Sequence, residues 1–131
     1  MTRLTQAYLA LASLTALFVG LGMLVMPSTF YGSYGIDPTV SPSLASELRS
    51  PGVLLTTIGL FFVYGIISPQ WRSLALWAAA VFYIGYATAR ALSLALDGVP
   101  STALVAAGAL ELALGLAAAG FLATHRRAIA T

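Results

Sequence analysis

The chain of 131 residues has no cysteine, no lysine, one histidine and few charges, with Asp, Glu, Lys and Arg together at 8%. Without cysteine there are no disulfides, thiolate metal sites or cysteine nucleophiles. Charge this scarce, against ~25% in an average soluble domain, argues against a fold bathed in water. All six basic residues are arginine and none form a run able to track a phosphate backbone, so nucleic acid is not an expected partner. His125 has no second histidine beside it, and Glu47 and Glu111 come with arginine partners, so neither a metal nor a cofactor is expected. Nucleophile-elbow, phosphate-loop, H-E-x-x-H and dinucleotide signatures are missing, which leaves no enzyme motif to follow.

What is present is apolar: 60% of residues are hydrophobic, and they fall in four stretches of membrane-spanning length, about 4–26, 51–68, 73–96 and 101–124. The first is ~34 Å long as a helix, enough to cross a bilayer core. It exceeds a signal-peptide core, and Pro27-Ser28-Thr29 is no small-x-small cleavage site, so it reads as a retained span. Residues 27–50 read as a loop rich in Pro, Gly, Ser and Tyr. Ser50-Pro51 and Ser41-Pro42 offer two helix starts, each a capping serine followed by proline. Pro69 to Arg72 and Asp97 to Pro100 read as tight turns. The fold class is therefore all-α integral membrane, a four-transmembrane-helix up-and-down bundle in a single membrane domain over 1–131. Arg3, Arg72, Arg126 and Arg127 share one side and Asp37, Asp97 and Glu47 the other, so the positive-inside rule makes both termini cytoplasmic. Trp71, Trp77, Tyr31 and Tyr34 suit interfacial positions, and the expected location is a bacterial cytoplasmic (inner) membrane, crossed several times.

Charges inside spans are costly, ~2.5–3.5 kcal/mol each at mid-membrane on insertion scales, and so are informative. Arg90 lies ~10 Å below the outer end of its helix and Glu111 ~15 Å below the outer end of the next. Side chains tilt toward their own helix N-terminus, and these helices run oppositely, so the two groups converge on one depth. Tyr83 and Tyr86 precede Arg90 by seven and four residues on the same face, and Glu47 and Arg49 stand at the mouth of the second span. Together these six residues form a candidate polar network. It reads as an ion-paired clasp, as a site for a polar head group on a lipid-like body, or as a proton path through Glu111. Gly52, Gly59, Gly108 and Gly115 make smooth faces for close helix contact.

The order Pro27, Phe30-Tyr31, Tyr34-Gly35-Ile36, Glu47-Leu48-Arg49 with Gly52, then Arg90, Asp97-Gly98 and Glu111-Leu112 resembles a small bacterial membrane family, domain of unknown function 4345. More distantly it is similar to the DoxX-like four-helix membrane proteins. Ser50-Pro51-Gly52 departs from the pattern, which has a paired-glycine segment without proline there. The resemblance implies a four-helix integral membrane protein sharing the charged network, and no established activity.

Three functions are weighed. The leading one is a non-enzymatic interaction or accessory protein, a homo-oligomer or a subunit of a larger membrane complex, motivated by the Gly and Ala faces. The alternative is a binding protein or enzyme for a lipid- or quinone-like molecule, with Arg90 and Arg49 gripping an anionic or carbonyl head group and Glu111 as acid or base. A small proton-coupled transporter ranks last, because the first span contains no acid.

Overall fold

The computed structural model describes the backbone of residues 3–129 and the side chains of residues 3–124. It is helical, with no strand among the described residues. The elements are α1 (Arg3–Val25), α2 (Pro27–Gly32), α3 (Pro42–Ile67), α4 (Pro69–Leu96) and α5 (Thr102–Ile129). Four of them, all but α2, are long and apolar enough to cross a membrane. Large apolar side chains point outward from all four, among them Leu14, Phe18, Leu60, Val81, Leu92 and Leu116. Water would penalise that surface and lipid would not, so the bundle is that of a multi-pass membrane protein.

Serine and proline set the helix starts. The Ser41 hydroxyl accepts from the Leu44 N–H at 3.1 Å, and Pro42 follows at the first helical position. The helix carrying the second span therefore starts at the earlier of the two candidate caps, nine residues before Pro51. Pro51 lies inside it and has no N–H for the Glu47 carbonyl one turn back. One residue along, the Leu48 carbonyl accepts from the Tyr31 hydroxyl. The segment expected to be loop is thus largely helical, with α2 at one end and the first turns of α3 at the other. The Thr39 N–H and hydroxyl both donate to the Asp37 carboxylate in the remaining connection, and they hold its pKa below the ordinary carboxylate value.

Residues 69–72, expected to be a turn, are the first turn of α4. Arg72 is buried there, donating from Nε to the Gly65 carbonyl at 3.1 Å and from Nη2 to the Ile66 carbonyl at 2.8 Å. Those carbonyls end α3 and have no partner further along their own helix. Arg72 is therefore the clasp of the α3–α4 turn as well as a charge at that end of the bundle. Gly98, at φ 97°, turns the chain out of α4. The α5 helix continues to Ile129, past His125-Arg126-Arg127, whose side chains lie outside the described residues.

Helix α1 packs chiefly on α3, and α4 on α5, with α3–α4 joining the two pairs. Glycine makes the close approaches possible. A Cβ on Gly20 would sit 2.7 Å from the Thr56 backbone nitrogen, and one on Gly115 2.8 Å from that of Ile84. The core is mostly small, with Ala12, Ala75, Ala79 and Ala118 fully buried around Leu9, Phe62 and Leu76. Three hydroxyls stitch helices together through main-chain carbonyls: Tyr8 to Leu114 at 2.7 Å, Tyr83 to Ala12 at 2.7 Å and Ser13 to Gly59 at 3.0 Å. Two of these three bonds begin on α1 and the third ends on it, so α1 ties both pairs together.

Candidate functional site

Arg90, near the C-terminal end of α4, and Glu111, in the second half of α5's first three turns, form a two-pronged ion pair. Nε donates to Oε2 at 2.6 Å and Nη2 to Oε1 at 2.9 Å. The opposed directions of α4 and α5 bring the two side chains to one depth. Gly108, one turn before Glu111, clears the lane: a Cβ there would lie 3.1 Å from Arg90 Cδ. The carboxylate is the better covered partner, at 15% side-chain exposure against 31% for the guanidinium. Arginine has five N–H donors, and two are engaged by Glu111. The other three have no acceptor among the described residues.

Arg90 lines an open groove of about 580 Å³ between the C-terminal half of α4 and the first turns of α5. The remaining walls are mainly apolar, including Leu94, Pro100, Leu104, Val105 and Leu112. Tyr86, Thr88 and Ser93 add hydroxyls. Thr88 donates to the Ile84 carbonyl and Ser93 to the Asp97 carboxylate, so their protons are engaged. The Tyr86 hydroxyl has no bonding partner among the described residues, while its ring packs on Phe82 with centroids 4.9 Å apart. Glu111 does not line the groove. The site therefore combines N–H donors from a neutralised pair and the Tyr86 O–H with an apolar trough.

The six residues of the sequence-derived network divide. Arg90, Glu111 and Tyr86 come together. Tyr83 shares the Arg90 face of the helix but lies two turns deeper, where α1 approaches; it is buried and spends its hydroxyl on Ala12. Arg49 donates to the Leu24 carbonyl at 3.1 Å, closing the C-terminus of α1, and does not join Arg90. Glu47 is exposed and makes no hydrogen bond or ion pair with the described residues. The expected four-charge network is thus one ion pair, because α3 packs on α1 and carries its mouth charges to that side.

Sequence reasoning missed Tyr34 and the Tyr31 hydroxyl contact. Tyr34 lies within electrostatic range of Arg90, and Tyr31 within that of Tyr86, so residues 31–34 come near this end of α4. Burial pushes the Tyr31 hydroxyl above its usual pKa, with the Tyr86 and Tyr34 phenols adding to the rise. The F-Y-x-x-Y spacing of 30–34 was the available signal: it puts Phe30 and Tyr34 one turn apart, and their rings meet edge-on at 5.2 Å.

The chain belongs to the family described as Domain of unknown function (DUF4345), whose model matches residues 4–122 and so takes in every spanning helix and the Arg90–Glu111 pair. No curated protein and no solved structure matches it.

Proposed function

We propose that this small membrane protein binds a lipophile in the α4–α5 groove, with the head group on Arg90 and the tail along the apolar walls. The observation that carries the reading is Arg90, with donors left over after its pair with Glu111, in the wall of a mainly apolar trough. Without water, donors of that kind need an acceptor from elsewhere, and a lipophile brings one. A groove of about 580 Å³ is within the usual range for one small ligand. Glu111 acts as the electrostatic partner of Arg90, and no acid or base role is assigned to it. In this reading the groove end faces the outer side of a bacterial inner membrane and the termini the cytoplasm.

The accessory-subunit or homo-oligomer reading ranks second, for a specific reason. The glycines that suggested a docking face, Gly52, Gly59, Gly108 and Gly115, are filled by side chains or backbone of this same chain. Their smoothness serves folding of the bundle.

The test is a photo-crosslinking amino acid placed in turn at Leu104 in the groove and at Leu14 on the lipid-facing side of α1. Binding predicts one discrete small-molecule adduct at Leu104 and heterogeneous bulk lipid at Leu14. Indistinguishable lipid adducts at both positions would contradict it, and a protein adduct at Leu104 would favour the accessory reading.

A further inference from the structure

We infer that the groove selects an uncharged lipophile with a carbonyl oxygen in its head and discriminates against the corresponding anion. This rests on the proposed lipophile site and adds the charge and hydrogen-bonding class of its occupant. Two features carry it. First, the arginine is already neutralised: Glu111 engages it through both carboxylate oxygens, at 2.6 and 2.9 Å. An anion brought to the open edge of Arg90 would feel Glu111 repel it through the same low dielectric in which Arg90 attracts it. Its own desolvation would then go uncompensated. Second, the groups with protons to spare can donate, and Arg90 can do nothing else. Arg90 has three free N–H groups and Tyr86 an unengaged O–H, whereas the Thr88 and Ser93 protons are committed to Ile84 and Asp97. A carbonyl oxygen, with two lone pairs and no charge, matches that donor set.

The size of the groove also points to one tail. Its apolar walls run from Leu94 to Leu112, and its volume is that of a single small ligand.

The experiment uses the full chain in detergent with a photoreactive methyl ester of a long-chain fatty acid, the adduct being mapped by proteolysis. Methyl oleate, oleate and octadecane compete; the first two share a tail and differ in head charge, and the third has no acceptor. Methyl oleate is expected to compete about tenfold better than either of the others, the difference made by one hydrogen bond from a charged donor. Oleate competing as well as or better than the ester would overturn the inference while leaving the groove as a lipid site. Octadecane matching the ester would overturn it by showing that the head is not read. No adduct on α4 or α5 would overturn the lipophile site and this inference with it.

Glu111→Gln supplies an independent signature. Removing the neutralising carboxylate should move the preference toward oleate, which a purely structural role for Glu111 would not do. Should that variant fail to fold, Arg90→Met combined with Glu111→Met keeps the bundle neutral. It should erase the advantage of methyl oleate over octadecane, and a retained advantage would count against Arg90 as the donor.

Discussion

Losing Arg90 and losing the whole Arg90–Glu111 pair are different perturbations, and their difference measures what the pair does. Arg90→Met leaves Glu111, with only 15% of its side chain exposed, as an unpartnered carboxylate. The expected cost is about 3 kcal/mol, at the lower end of values for a broken buried pair because Arg90 is itself part-exposed. Arg90→Met with Glu111→Met should lose much less, so a double-mutant cycle on unfolding in mixed detergent should return strong coupling. Additive losses would mean that the pair is not a unit. Tyr83→Phe should cost only about 0.6 kcal/mol, typical of one hydrogen bond between membrane helices, and should leave lipid capture unchanged. Arg72→Ala bares the Gly65 carbonyl, leaves Ile66 only its longer bond from Gln6, and should cost about 1–3 kcal/mol, with poor rescue by lysine, which lacks the planar fork. Of these residues, Arg90 and Glu111 were readable in advance because depth along a helix follows from counting. Tyr83 is in electrostatic range of Glu111 but spends its hydroxyl on Ala12, a partner that depends on how α1 packs, and Arg72 was hidden by a Pro-initiated helix that looks like a turn.

At the scale of the helices, glycine separates contacts that the backbone enforces from those that it does not. Gly115→Ala would press a Cβ to within 2.8 Å of the Ile84 backbone nitrogen, so α4 and α5 must part, and the groove they form should be lost together with stability. Gly120→Ala, on the same helix, meets nothing within 4 Å and gains helix propensity. The expected result is a marked drop in unfolding midpoint for the first and no loss for the second; equal effects would contradict the packing described. The glycine spacings in the sequence marked these faces correctly as close contacts. What spacing could not give was the partner: that Gly20 and Gly52 serve α1 against α3, while Gly108 and Gly115 serve α5 against α4, depends on the pairing of helices. The same ignorance of pairing is why Glu47 and Arg49 were drawn into a network they do not join.

For the whole molecule, the order of the four spanning helices sets the start of α1 and the end of α5 at one end of the bundle and the Val40 and Gly98 connections at the other. Because the chain has no cysteine, a single Val40→Cys gives a clean reporter of side. The charge distribution predicts that it reacts with a membrane-impermeant maleimide added to intact spheroplasts; reaction only in inverted vesicles would reverse the orientation. The architecture was legible because four apolar stretches leave almost no polar face for water. The groove was not, since its walls are ordinary Leu, Val and Ala residues, and only the packing of α4 beside α5 makes them a site. The most direct test is native mass spectrometry of the chain extracted gently from its own membrane, beside Ala109→Trp, which puts a large ring on a residue of the groove wall outside the ion pair. The account predicts that the unaltered chain carries one defined uncharged lipophile and that Ala109→Trp emerges folded and empty. An unaltered chain that is empty, or a lipophile retained equally by Ala109→Trp, would contradict it.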